Sequence, residues 1–364
     1  MKPKAVITTL AITVANVPAL AYDASDKLSI TSLLAGSMQC QNLSDTAAND
    51  ERRGAVAFQP EVSLHPNDRN ELFFKLGFAD GNGLNNNSPF TISPWAADLE
   101  DDVKEINGND RDHLLTVWYK YNLPLSEDNL FGATFGIIDS TDYLDDNAYA
   151  NDEFTQFMNA ALVNGPNIVL PSYDGGGALE WDTGPWSVRA VYMHVDGNKD
   201  GNSFNFYGAQ LGYSLENTLG EGTYRVLVFS TSKDFFDDAA TSDKKHRGII
   251  FSLDQSLNEH LGGWLRIGWS DDEAAIGHDA LYSGGIDIRG GQWGHPDDNI
   301  GLGYAYLDGG NRDINHSQVI EAYYRFVIND FLALSADIQY MQDDRTEEES
   351  PEGCIFGLRV TAEI

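Results

Sequence analysis

Gly353-Cys354-Ile355-Phe356-Gly357-Leu358-Arg359-Val360-Thr361-Ala362-Glu363-Ile364 is the stretch whose reading decides the fold. In an extended strand, successive side chains point to opposite faces. Cys354, Phe356, Leu358, Val360, Ala362 and Ile364 then share one apolar face, while Gly353, Ile355, Gly357, Arg359, Thr361 and Glu363 share a face that carries charge. A wall between lipid and a wet interior needs that division. Working back toward Leu28, the pattern recurs about sixteen times at ~10 residues per strand, which is the signature of a transmembrane barrel. The fold class predicted is all-β: a transmembrane antiparallel β-barrel of about sixteen strands.

The predicted strands are 28–41, 51–64, 70–79, 111–121, 130–138, 175–183, 185–195, 203–215, 222–232, 246–257, 260–271, 280–290, 299–307, 316–328, 331–342 and 353–364. Connectors after even strands are short, as in 65–69, Gly184, Asn258-Glu259 and Asn329-Asp330; those after odd strands are long, as in 80–110, 139–174, 233–245 and 343–352. Barrels inserted from the periplasm have short periplasmic turns and long outer loops. A soluble β-sandwich has no reason to keep that parity along the chain. Tyr and Trp near strand ends, Trp186, Trp269, Tyr323 and Tyr340 among them, fit interfacial girdles.

Residues 1–21 read as an export signal. Lys2 and Lys4 precede a short apolar run from Ala5 to Val14, and Ala19-Leu20-Ala21 forms a small-residue cleavage site. No later stretch approaches the ~18 to 20 apolar residues a membrane helix needs. The chain therefore divides into a signal peptide, 1–21, and a barrel domain, 22–364, in a Gram-negative-type outer membrane. The formal net charge of −33 becomes −35 after that cleavage, because Lys2 and Lys4 leave and no acid does. Such a balance gives no electrostatic hold on nucleic acid. The acids crowd into connectors, where they read as solvated loops or as sites for divalent cations bridging to lipid headgroups.

On strands whose outward face is apolar, the inward positions include Lys120, Arg189, Arg225, Arg266, Arg359, Asp254, Asp337, Thr134, Trp118 and Trp264. A charge facing lipid near the midplane would cost up to ~2 to 4 kcal/mol, so charge on the inner face implies water inside. About sixteen strands enclose an aqueous channel rather than a packed core. The 36-residue connector 139–174 contains a helix-capable run, Phe154–Leu162, and is predicted to fold back into the barrel as the constriction. Its polar candidates are Asp142, Asn147, Gln156 and Asn159.

The stretch from Gly136-Ile137-Ile138-Asp139-Ser140-Thr141-Asp142 through Gln156-Phe157-Met158-Asn159-Ala160-Ala161-Leu162 resembles the signature of the carbohydrate-selective (OprB-type) porins. Ala79-Asp80-Gly81-Asn82-Gly83-Leu84, Ala336-Asp337-Ile338-Gln339-Tyr340 and Gly357-Leu358-Arg359 are similar as well. The chain departs from the usual pattern in ending on Ile364 rather than an aromatic, and in having Gln342-Asp343-Asp344 where an Asn-Pro is usual. The resemblance implies a sixteen-stranded outer-membrane porin whose inturned loop narrows a channel for mono- and small oligosaccharides. Sugar recognition pairs aromatic rings, which stack on flat apolar faces, with groups that hydrogen-bond hydroxyls. Trp118 and Trp264 beside Arg189, Arg266 and Arg359, facing Asp139 and Asp337, offer both parts; the same arginines could instead brace the barrel.

A non-selective or cation-favouring diffusion porin is the alternative within transport. From other classes stand an outer-membrane enzyme and an exported sugar-binding β-sandwich. No Gly-x-Ser-x-Gly elbow is present, so no catalytic residue is assigned. Asp196-Gly197-Asn198-Lys199-Asp200-Gly201 opens like a calcium loop, but Tyr207 stands where a bidentate Glu belongs. His260, His278 and His295 lack ligand spacing, so neither a metal nor a cofactor is expected. The partners implied are sugars in the channel and outer-membrane lipid, with assembly as a homotrimer left open. Cys40 and Cys354 are candidates for a disulfide stapling the barrel seam, since both fall on the lipid face near the outer rim of the first and last strands.

Overall fold

The computed structural model describes residues 22–364 apart from 26, 45 and 109, so the export signal assigned to 1–21 lies outside the described residues. Sixteen strands run antiparallel in chain order. They are β1 (Leu28–Ser44), β2 (Arg52–Asn67), β3 (Asn70–Leu76 with Phe78–Asp80), β4 (Leu114–Ser126), β5 (Asn129–Ile138), β6 (Asp174–Thr183), β7 (Trp186–Val195) and β8 (Phe204–Glu216). The second half comprises β9 (Glu221–Thr231), β10 (Arg247–Asn258), β11 (Leu261–Ser270), β12 (His278–Arg289), β13 (Asn299–Gly309), β14 (His316–Asn329), β15 (Leu332–Asp344) and β16 (Glu352–Glu363). Each strand pairs with the next, and β16 returns to β1 from Leu33 opposite Glu363 to Ser44 opposite Glu352. The sheet is thus a closed sixteen-stranded barrel. Closure satisfies every strand edge inside lipid, where no water is available to do so.

The alternation read from the last strand holds in space. Phe356, Leu358 and Val360 are 50%, 51% and 44% exposed on the outer face, whereas Ile355 and Arg359 on the inner face are fully buried. No helix among the described residues is long and apolar enough to cross a membrane; the strands do the crossing. Trp186 and Trp269 stand on the outer surface. Tyr323 does not join them: it points inward and is buried, so its place in a girdle is corrected. On the short-turn rim, Gly184 takes φ 53 in the β6–β7 turn, a left-handed conformation that costs glycine no steric strain. One connector on that rim, 290–298, is longer and holds a 3-10 turn over Gly290–Trp293.

The seam corrects the disulfide expectation. Cys40 lies opposite Phe356 and Cys354 opposite Asn42, a two-residue offset, and both thiols are free. Same edge, face and rim were inferred correctly, but the stagger that closes a tilted barrel separates the pair along the strand. Cys40 Sγ instead accepts from Arg52 Nε at 3.2 Å.

Candidate functional site

The long connector after β5 enters the barrel. Asp139 accepts from the Thr141 amide at 2.9 Å and caps the turn Ser140–Asp142 that aims the chain inward. From there the loop follows the inner wall. Asp145, fully buried, meets Arg266 Nε of β11 at 2.8 Å, and Arg266 also donates to the carbonyls of Asp145 and Ala150 at 3.1 Å. Asn147 Nδ2 donates to Leu253 O of β10 at 3.2 Å. Phe157 packs edge-on against Trp264 and Tyr323, with centroids 5.7 and 5.1 Å apart. Glycines on the inner face make room: a Cβ at Gly262 would lie 2.2 Å from Tyr149 Cζ, and one at Gly303 2.9 Å from Phe157 Cε1.

The far end of the loop is latched to β14–β16. Glu321 accepts from the amides of Met158 and Asn159 at 2.6 and 2.9 Å. Asn159 Nδ2 donates to Gln339 Oε1 at 2.9 Å, and its own side-chain oxygen caps the helix Ala160–Val163. Arg359 donates to the carbonyls of Glu153 and Gln156 at 2.6 and 2.8 Å. The predicted helical run over 154–162 is therefore shortened to Ala160–Val163. Carbonyls that would accept helical N–H groups accept Arg359 instead, and the Phe157 ring is drawn to the wall.

A second loop, 81–113, also turns inward, which sequence reasoning missed. Pro94 O accepts from Gln39 Nε2 at 3.3 Å and from Gln339 Nε2 at 2.9 Å. The Ala96 amide donates to Met158 O at 2.8 Å, the Ala160 amide to Ser93 O at 3.1 Å, and Trp95 Nε1 to Glu153 O at 3.0 Å. Leu84, Trp95 and Leu99 are wholly buried by this docking. The signal was present: Phe90, Ile92, Trp95 and Leu99 are too apolar for a loop that stands in water.

The loops also cover the outer half of the β2–β7 wall, where Leu144 packs with Ala178, Val191 and Met193 and Trp95 with Ala55 and Ala57; toward the short-turn rim that wall stays partly exposed. There Phe73 and Trp118 stack at 4.8 Å with planes 19° apart, both partly exposed. Around them Lys75 pairs with Glu61 at 3.5 Å, Lys120 with Glu180 at 2.6 Å, and Arg189 with Asp182 at 2.8 Å. Arg225 bridges Asp146 of the loop, at 2.9 Å, to Asp254 of β10. Facing that wall, the loop edges present Asp98, Asp142 and Glu153, all three in the electrostatic field of Lys75. Asp98 accepts from Tyr173 Oη and from Gln59 Nε2, the latter at 3.4 Å.

Enclosure by protein and the neighbouring Asp139 push Asp142 up to about 7. Its carboxyl nevertheless opens on the passage, so like-charge crowding, which lumen water leaves in place, is the sounder of the two causes. Burial and then Asp152 and Asp98 push Glu153 up to about 8. Burial also raises Asp145, against the pull of Arg266.

The predicted channel-lining residues divide. Trp118 and Arg189 stand on the open wall, and Asp142 faces it from the loop. Asp139 is buried at the loop's entry, where it also accepts from Ser172 Oγ at 3.0 Å. Arg266, Arg359, Trp264 and Asp337 are buried beneath the loop, so their assignment to an open sugar path is corrected: the first three hold the loop in place, and Asp337 accepts from Gln339 Nε2 at 3.0 Å. Asn147 and Asn159 are likewise buried docking groups, and Gln156 Nε2 closes the loop on itself through Ala148 O at 3.0 Å. Phe73, Lys75, Glu61 and Glu321 were not singled out from sequence.

A closed barrel that is apolar outside, charged inside and narrowed by inturned loops is an outer-membrane channel. The model of the OprB family, carbohydrate-selective porins, matches residues 101–363, and the chain belongs to that family. It is 32% identical over 294 residues to an uncharacterised protein of Aquifex aeolicus strain VF5, across 80% of this chain and 82% of that one. Among solved structures, the high-pH form of Pseudomonas putida OprB superimposes with a TM-score of 0.74 at 14% identity, covering 93% of this chain and 94% of the other. The outer-membrane channel DcaP of Acinetobacter baumannii gives 0.58 at 10% identity over 93% and 97%. At those identities the likeness is one of fold. The chain is thus a carbohydrate porin of the outer membrane, a channel rather than an enzyme.

Proposed function

We propose that mono- and small oligosaccharides diffuse passively, without chemical conversion, between the loop edges and the open wall of β2–β7. The carrying observation is the stacked Phe73–Trp118 pair, partly exposed and flanked by Lys75, Lys120 and Glu180. The rings offer a flat face for a pyranose, and the charged groups offer donors and acceptors for its hydroxyls. Export by the 1–21 signal delivers the chain to the outer membrane. The constriction belongs to loop 139–173, with loop 81–113 locking it from the outer side.

Proteoliposome swelling tests the reading. Hexoses and disaccharides should enter faster than amino acids of matched size, and equal rates would return the alternative of a non-selective porin. Deleting 145–165 should raise single-channel conductance and blunt discrimination among sugars; unchanged conductance would remove the loop from the constriction.

A further inference from the structure

The lipid-facing surface of the barrel is not evenly filled. In the cross-strand row Leu211–Val226–Phe251–Ile267, which runs from β8 to β11, Val226 is the smallest side chain. The next row toward the short-turn rim is Tyr213–Tyr224–Leu253–Leu265. Val226 and Leu253 are half-buried, whereas Leu211, Phe251, Tyr224 and Leu265 stand exposed around them. Between them lies an open groove of about 280 Å³ with an almost wholly apolar lining. Its end at the short-turn rim is fixed. Tyr224 Oη donates to Gln255 Oε1 at 3.0 Å, and Gln255 Nε2 donates to the carbonyls of Gly220 and Glu221, both at 3.1 Å. Trp186 and Tyr213 flank that end with ring centroids 4.6 Å apart, and such rings sit at headgroup level. The groove therefore leads from hydrocarbon to the headgroups of the periplasmic leaflet.

Charge at that end has one sign. Glu216 and Glu221 flank the β8–β9 turn, Glu259 lies on the β10–β11 turn, and all three are exposed. Neither 214–223 nor 255–261 contains a lysine or arginine. Among the described residues, His260 Nε2, 3.3 Å from Glu259, is the one basic group within 4 Å of the three. We propose that the groove holds one acyl chain of a periplasmic-leaflet phospholipid with an ammonium headgroup, as in phosphatidylethanolamine. Burial of the chain along Val226 supplies attraction. Carboxylates at headgroup level draw in an ammonium and repel the net negative charge of a glycerol headgroup. A second barrel fits less well: a two-fold contact centred here would bring the acids of two copies together. The site is on the opposite face of the wall from the sugar path, so neither reading depends on the other.

Native mass spectrometry of the protein, purified from equimolar phosphatidylethanolamine and phosphatidylglycerol of identical chains, tests the site. The parent should retain one ethanolamine lipid, preferred by a factor on the order of fivefold. Val226→Trp, which fills the groove, should retain less by a similar factor, while Leu302→Trp on the lipid face of β13, outside the groove, should match the parent. The triple variant Glu216→Gln, Glu221→Gln, Glu259→Gln should keep a lipid and lose the preference. Equal retention of the two lipids by the parent overturns the proposal, as does equal retention by Val226→Trp and Leu302→Trp. A multimer that Val226→Trp dissociates would assign the groove to a second copy instead. If Val226→Trp does not fold, Phe251→Ala, which removes one side of the groove, must release the lipid or the proposal fails.

Discussion

The inner wall of β10–β16 and the inner wall of β2–β7 are built from the same residue types and serve opposite ends. Both carry arginine and tryptophan on strands that alternate with lipid-facing side chains. Under the loop, Arg266 and Trp264 are buried against Asp145 and Phe157. On the open side, Arg189 and Trp118 are only partly covered, and their neighbours Lys120 and Glu180 are within reach of solvent. An arginine in a barrel lumen is therefore no guide to a solute path. What divides bracing from passage is how far down each wall the loop reaches, and small inner residues such as Gly262 and Gly303 make room for it on β11 and β13.

The comparison is broken most forcefully at Arg266. Arg266→Ala leaves Asp145 buried beside an empty space, and breaking a buried pair from one side costs about 3–5 kcal/mol. Thermal unfolding of the detergent-solubilised barrel should show that loss, together with larger and noisier single-channel currents as the loop undocks. A stable variant with parental conductance would show that the latch lies elsewhere.

The loop edge should respond to pH. The carboxyls of Asp142 and Glu153 are pushed up to about 7 and about 8, above the ordinary carboxylate range near ~4. Asp98, Asp139, Asp152, Glu61 and Lys75 are the charged groups that face them. Because the folded-state values are raised, the native state holds protons that the unfolded chain has released. Their contribution to loop docking is full below the ordinary range and is lost as pH rises through about 7 to 8. Each carboxylate that forms there adds negative charge to the lumen, so permeation of potassium relative to chloride should rise over the same window. Reversal potentials from pH below 6 to above 8 should rise with that midpoint, and a flat profile would remove these two carboxyls from the lumen.

Arg189→Ala carries the smallest effect. Glu180 keeps Lys120 as a partner and Asp182 is about a third exposed, so stability should fall by less than the ~3–5 kcal/mol expected of Arg266→Ala. Sugar flux should fall modestly, and loop docking should be untouched. A stability loss as large as that of Arg266→Ala would erase the distinction between the walls.

Strand positions were legible because the lipid imposes a period of two on the outer face, and Phe356, Leu358 and Val360 report it without help from context. The inturned loop after β5 was legible from its length and its Asn- and Asp-rich run. Loop 81–113 was missed, although Trp95 and Leu99 marked it, because the acids Asp98 to Asp102 around them read as a solvated segment. Which arginines brace and which line the passage was not legible. Inner-face position is a property of one strand, whereas burial of Arg266 depends on a chain segment that arrives from about 120 residues away. The seam cysteines failed for a related reason: face and rim follow from sequence, but stagger is a property of the closed barrel.

The division of the two walls is tested most directly by titrating a neutral sugar into the ion current of Trp118→Ala and Trp264→Ala side by side. Trp118→Ala should cost less stability than Trp264→Ala and keep parental conductance while sugar block weakens, because Trp118 is partly exposed and only its edge packs on the cluster around Ile138. Trp264→Ala should unfold at lower temperature and conduct more, because Phe157 loses its packing and the loop loosens. Parental sugar block in Trp118→Ala, together with a stable Trp264→Ala that no longer responds to sugar, would place the sugar path on the opposite wall and contradict the account.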